Sequence, residues 1–150
     1  MQNLLNQIKL YYVNAAISNA SNTDDDSDIV DTAGFDGILF ATPITDSAQT
    51  GVATLTVEQN SANSGTGMAA LSGAVATATS AANDDINGKL LVVDVYRPRE
   101  RYVRSNLASA TANIAFGDTI AILYKGIKMP ITQSTSEVAD SAVVTSPAEA

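Results

Sequence analysis

Apolar and polar positions alternate with a period of two along much of this chain, and no long amphipathic helical pattern competes with it. Leu10–Ile17 reads as a strand, with Tyr11, Val13, Ala15 and Ile17 opposed to Tyr12, Asn14 and Ala16. Residues 18–28, ending in the acidic Asp24-Asp25-Asp26-Ser27-Asp28, read as a polar surface loop. After a turn at Ala33-Gly34, Phe35–Thr42 forms a strong strand that Pro43 ends or marks as an edge. A polar loop over 45–51 leads to Val52–Gln59, the cleanest alternation in the chain. Ala53, Leu55 and Val57 share one face, and Thr54, Thr56 and Glu58 the other, as in a half-buried antiparallel strand.

Asn60–Gly67 is a turn cluster. Residues 68–82 are rich in Ala, Thr and Ser and fit helix or strand; Val75, Thr77 and Thr79 favour a strand over 74–80. Lys89–Arg97 is apolar on both faces, which predicts a central strand. Pro98-Arg99 predicts a tight turn, with Arg101–Leu107 returning as the hairpin partner. Ile114–Lys125 is a long strand, bent or bulged at Gly117-Asp118. Seven or eight short strands between Gly/Asn/Asp/Ser turns predict an all-β protein, a single antiparallel β-sandwich or barrel of jelly-roll type. The expected organisation is an N-terminal arm over 1–9, a β-sandwich over 10–130 and a C-terminal arm over 131–150.

Composition narrows the chemistry. The 150 residues suffice for a domain that buries about 68–70% of its unfolded surface. There is no Cys, which excludes disulfides and thiolate chemistry, and no His, the usual general base and metal ligand. Catalysis is thereby disfavoured, and no cofactor is implied. A net charge of −8 argues against nucleic acid as a partner. Only 16% of residues are charged, against roughly 25% in typical soluble domains. Such lightly charged surfaces lean towards an oligomer. The first nine residues lack the apolar run of a signal peptide, and no segment is apolar enough to span a bilayer, so neither export nor a membrane partner is expected.

Two clusters are candidates for function. Asp24, Asp26 and Asp28 have the spacing that opens an EF-hand loop. Ile29 stands where Gly is needed and the distal Glu is missing, so a solvated acidic loop outweighs a weak calcium site, and no metal is assigned. The second cluster holds all four arginines, in Tyr96-Arg97-Pro98-Arg99-Glu100-Arg101-Tyr102-Val103-Arg104. In a hairpin, Tyr96 would face Arg101, with Asp94 diagonal to it and able to pair. Arg101 and Arg104 could then be tied up by carboxylates within the sheet. Arg97 and Arg99 at the turn could instead meet an acidic partner, since a guanidinium grips carboxylates bidentately. The candidate partner-binding residues are Tyr96, Arg97, Arg99, Arg101 and Arg104; no catalytic residue is assigned.

Several stretches carry a family resemblance. Asp31-Thr32-Ala33-Gly34-Phe35 through Phe40 resembles the D-T-x-G-[FY]-x-x-x-x-F segment of small tailed-bacteriophage structural proteins. Leu55–Ser61 is similar to a further family segment, although Asn60, Ala62 and Asn63 depart from its acidic turn. Asp94–Arg104 is the most similar stretch, followed by Ala121–Tyr124, Lys128–Gln133 and the ending Val144–Ala150. The resemblance spans most of residues 28–150. It implies a virion component of the head decoration (cement) type, assembled in the host cytoplasm and seated on the capsid surface. Its partners would be the major capsid protein and further copies of itself, as a trimer or dimer. The competing expectations are a neck, tail or fibre-base component and a carbohydrate-binding β-sandwich. The absence of Trp, the usual stacking platform for sugars, counts against the latter.

Overall fold

A computed structural model describes residues 3–144. A single 3-10 turn at Leu4–Asn6 precedes eleven strands: β1 (Ile8–Asn14), β2 (Ile17–Ala20), β3 (Asp24–Asp26), β4 (Val30–Asp31), β5 (Phe35–Ser47), β6 (Val52–Asn60), β7 (Ala69–Thr79), β8 (Leu90–Tyr96), β9 (Tyr102–Ala110), β10 (Ile114–Phe116) and β11 (Thr119–Gly126). No helix among the described residues is long and apolar enough to cross a membrane. The family-like ending from Thr145 to Ala150 lies outside the described residues, as do Met1 and Gln2.

The strands form two antiparallel sheets. In the first, β5 is the spine: β11 and then β10 pair along one side of it, β8 along the other, and β1 and β2 lie beyond β11 and β10. In the second, β9 is flanked by β6 on one side and by β3 and β4 on the other, with β7 beyond β6. Taking β1 with β2, β3 with β4 and β10 with β11 as interrupted rows gives eight rows in chain order. The sheets then read 1-8-3-6 and 2-7-4-5, the order of a jelly roll. The expected all-β sandwich is the fold observed.

This topology overturns the hairpin expected at Pro98-Arg99. β8 belongs to the first sheet and β9 to the second, so residues 97–101 bridge the two sheets. In this order of rows only β6 and β7 are consecutive rows within one sheet. Tyr96 therefore pairs with Gly37, and Arg101 does not face it.

The core lies between the sheets. Ile38, Phe40 and Ile44 of β5 and Leu123 of β11 meet Leu55 and Val57 of β6 and Val103 and Leu107 of β9, all fully buried. The alternation read over Val52–Gln59 is the observed one, with Ala53, Leu55 and Val57 inward. β7 is longer than the 74–80 expected. Its small inward residues Ala74, Ala76 and Ala78 weaken the apolar signal, and Gly73 (φ +81°) bulges the strand opposite Val57.

Three further expectations change. Pro43 sits inside β5 and does not end it. Its carbonyl accepts the Gly117 N–H at 2.8 Å, on the side where β10 gives way to β11. The donor that proline lacks thus faces a break in the neighbouring strand, at the Gly117-Asp118 irregularity the sequence indicates. A Cβ on Gly117 would lie 2.6 Å from Pro43 Cγ, so only glycine lets the two strands close there. β8 is an edge strand, not a central one: Leu91 and Val93 point inward while Leu90 and Val92 are exposed on the outer face. Asp24–Asp26 is an edge strand on β9, not a solvated loop.

Both terminal stretches dock on the sandwich. β1 begins at Ile8, inside the stretch read as an arm. Residues 131–144 carry no strand, yet Gln133 accepts the Leu10 N–H (3.0 Å) and donates to Ile8 O (2.7 Å), and Glu137 accepts the Tyr12 N–H (3.0 Å). Side chains thus cap the free edge of β1, blunting an edge open to strand addition.

Phe40 is among the largest fully buried side chains. Phe40→Ala is expected to cost ~3–5 kcal/mol in equilibrium urea unfolding. A loss below ~1 kcal/mol would remove Phe40 from the centre of the core.

Candidate functional site

The bridge between the sheets carries the candidate site. β8 ends at Tyr96, and the chain turns at Arg97 through a left-handed backbone (φ +54°) while the Arg97 N–H donates to Asp36 O at 2.7 Å. Two residues on, the side-chain oxygen of Gln59 accepts the N–H groups of Arg99 (3.1 Å) and Glu100 (3.3 Å). The bridge is therefore pinned to both sheets, to β5 through Asp36 and to β6 through Gln59. Such anchoring lowers the entropy lost when its side chains meet a partner.

The four arginines divide into two pairs. Arg101 grips Asp31 bidentately, Nε to Oδ1 at 2.8 Å and Nη2 to Oδ2 at 2.7 Å. That hydrogen-bonded fork holds the Asp31 carboxyl below its ordinary range and raises the Arg101 guanidinium further. Arg104 is largely buried. Its Nε and Nη2 reach Glu58 Oε2 and its Nη1 reaches Asp26 Oδ2, each at 2.7 Å. The carboxylates that satisfy these two arginines come from β3, β4 and β6; Asp94 instead accepts the Tyr124 hydroxyl at 2.6 Å.

Arg97 and Arg99 are exposed, and neither has a carboxylate within ion-pair distance among the described residues. The Arg97 guanidinium lies 5.2 Å from the Tyr96 ring centroid, and Lys125 Nζ lies 4.9 Å from the same ring. Two cations thus contact one aromatic ring. Arg97 and Arg99 line a groove of about 340 Å³ between β8 and β7, with Leu71, Ser72 and Gly73 on its far wall. Of the five residues singled out in the sequence, Tyr96, Arg97 and Arg99 come together here. Arg101 and Arg104 are spent on carboxylates inside the second sheet. Sequence reasoning missed Gln59 and Lys125, which pairing across the fold brings to the bridge and which no local pattern marks.

The acidic stretch is also internally paired. Asn106 Nδ2 donates to Asp24 Oδ1 (2.7 Å) and Asp26 Oδ1 (2.9 Å), and Asn14 Nδ2 donates to Asp25 Oδ2 (2.6 Å). Among the described residues no group of three acidic side chains is placed to hold a metal ion.

No family model matches this sequence, and no curated protein matches it. Among solved structures, the fold is similar to that of the PBSX exported protein XepA, with a TM-score of 0.50 and 15% sequence identity. The match covers 99% of this chain and 46% of XepA, so the chain spans just under half the length of that protein. At this identity the likeness is one of fold.

The division of the arginines is testable by stability. Arg104→Ala strands Glu58 in a largely buried position and is expected to cost ~2–3 kcal/mol. Arg97→Ala and Arg99→Ala are expected to stay within ~0.5 kcal/mol of the parent. Equal losses at all four positions in urea titrations would contradict the division. Asp31 has a depressed pKa in the folded state, so its contribution is present above the ordinary carboxylate range and fades as pH falls through the folded value. Asp31→Asn should therefore be slightly less stable than the parent at neutral pH, the margin being small for so exposed a pair, and the two should converge as pH falls through the folded Asp31 value. A gap that acidification leaves unchanged would show that the pair's charge is not the cause.

Proposed function

We propose that this chain is a non-enzymatic bacteriophage virion component, a decoration (cement) protein that binds the outer capsid shell and bridges its subunits. The observation that carries the reading is the state of Arg97 and Arg99. They are exposed guanidinium groups on a doubly anchored bridge, in a chain of net charge −8 whose other two arginines are already paired. The chemistry that would meet them is an acidic surface on the major capsid protein, because a planar guanidinium binds carboxylates through two parallel hydrogen bonds. The sequence resemblance of residues 94–104 to phage structural proteins supports the same reading. The fold likeness to the PBSX exported protein XepA is compatible with it.

The mechanism is linkage. A protein that binds the assembled shell, and not its dissociated subunits, stabilises the shell in proportion to the logarithm of its concentration over its dissociation constant. It needs contact area and charge complementarity and no reaction step. The anchored bridge supplies directed charge, and self-association would multiply the contacts each particle makes.

The test is binding of purified protein to emptied shells by co-sedimentation. The double variant Arg97→Ala/Arg99→Ala is expected to bind at least tenfold more weakly at low salt, as loss of two charge-assisted contacts implies. The gap from the parent should narrow as salt screens the interaction. Unchanged occupancy of the double variant would remove these arginines from the contact.

A further inference from the structure

The outer face of the first sheet is apolar across all four of its rows. Ala41 of β5 pairs with Val92 of β8 on one side and with Ile120 of β11 on the other, and Ile120 pairs in turn with Tyr12 of β1. Residues in one such row point to the same side of a sheet. The next row toward the bridge holds Asp94, Leu39, Ile122 and Leu10 by the same pairings. Asp94 is the one charged side chain in these two rows, and it already accepts the Tyr124 hydroxyl. Tyr124 lies flat across β5 over Gly37, where an added methyl would fall inside its ring.

The face is open. Leu90 is 61% exposed, Tyr96 51%, Tyr12 48%, Val92 43% and Ile120 42%. At its bridge end Leu4, Ile127 and Met129, also exposed, line an apolar cavity with Ile8 and Tyr124. At about 200 Å² for a fully open large side chain, these eight residues present roughly 900 Å² of surface. A standard stable interface takes about 800 Å² from each partner, whereas the largest apolar patch on a typical monomer is about 300–600 Å².

We propose that this face is covered by the same face of a second copy, in a two-fold dimer. Three features select that occupant. The area is that of a complete interface, and its apolar centre with a polar rim matches surfaces buried permanently between identical subunits. A sheet face stacks on another at about 10 Å with strands nearly aligned, as in β-sandwiches generally. The rim charges are self-complementary. Asp118 immediately precedes β11 and Lys125 lies near its far end, so a two-fold axis across the strands near Ile122 sets each Lys125 over the other copy's Asp118. The dimer names the surface for the self-association within the proposed function. Tyr96 and Asp94 are shared between this face and the groove between β7 and β8, and Arg99 of that groove stays at the rim, free for the shell.

Sedimentation equilibrium of the purified chain, without any shell, tests this apart from shell binding. The expected mass is twice the 15.5 kDa of one chain at micromolar concentration. Val92→Lys/Ile120→Lys is expected to weaken the dimer at least a hundredfold with an unchanged far-ultraviolet circular dichroism spectrum. Leu90→Glu, at the end of the same face, should weaken it at least tenfold and serves if the double variant does not fold. Val75→Lys, on an exposed residue of β7 in the other sheet, should leave the dimer intact. A parent that stays monomeric at 100 micromolar overturns the proposal, as does a trimer or larger ring. So does a dimer insensitive to both face variants. A monomeric parent whose shell binding is lost in Val92→Lys would assign the face to the capsid protein instead.

Discussion

A sandwich of two sheets with no helical layer buries one pleat face of each strand and leaves the other outside. Everything in this molecule follows from how its inner faces are filled and what its outer faces carry. The inner faces meet over Phe40, Ile38, Leu55, Val57 and Leu107, residues from rows that lie far apart in sequence. To bring them together the chain crosses from sheet to sheet at nearly every connection, as a jelly roll requires. The spine is β5, thirteen residues long, which serves β8 on one side and β11 then β10 on the other. Pro43 is tolerated within it because the neighbouring strand breaks at Gly117, the place where its missing donor would have paired.

The same crossings create the candidate site. A chain leaving β8 for the opposite sheet must traverse the edge of the sandwich, and the Asp36 carbonyl and the Gln59 side chain hold it there. Once Arg101 and Arg104 are matched to Asp31, Glu58 and Asp26, the positive charge left facing outward on the bridge is that of Arg97 and Arg99. The site is thus defined by what the fold leaves unpaired, in a chain whose overall sign points the other way.

The strand pattern was legible wherever one face is buried and the other is polar, as in β6, where Thr54 and Thr56 alternate with Ala53, Leu55 and Val57. It misled where that contrast fails. β8 is apolar on both faces not because sheets cover both, but because its outer residues Leu90 and Val92 belong to an exposed apolar surface. β7 was blurred because its inward positions are alanines. Asp24–Asp26 resembles a loop in isolation and becomes a strand because Asn106, Asn14 and Arg104 neutralise or hydrogen-bond its carboxylates. The proximity of Arg97 to Arg104 in sequence suggested one patch. Topology separated it into a pair matched to carboxylates of the second sheet and an unmatched pair on the bridge, and no local pattern records which sheet each strand joins.

The central claim is that this protein works by contact on a phage shell. Quantitative mass spectrometry of phage particles purified from the chain's source addresses it most directly. The account predicts a copy number on the scale of the shell subunits themselves, with the protein released before the capsid protein as denaturant rises. A copy number matching a single ring at one vertex, or absence from the particle, would contradict it.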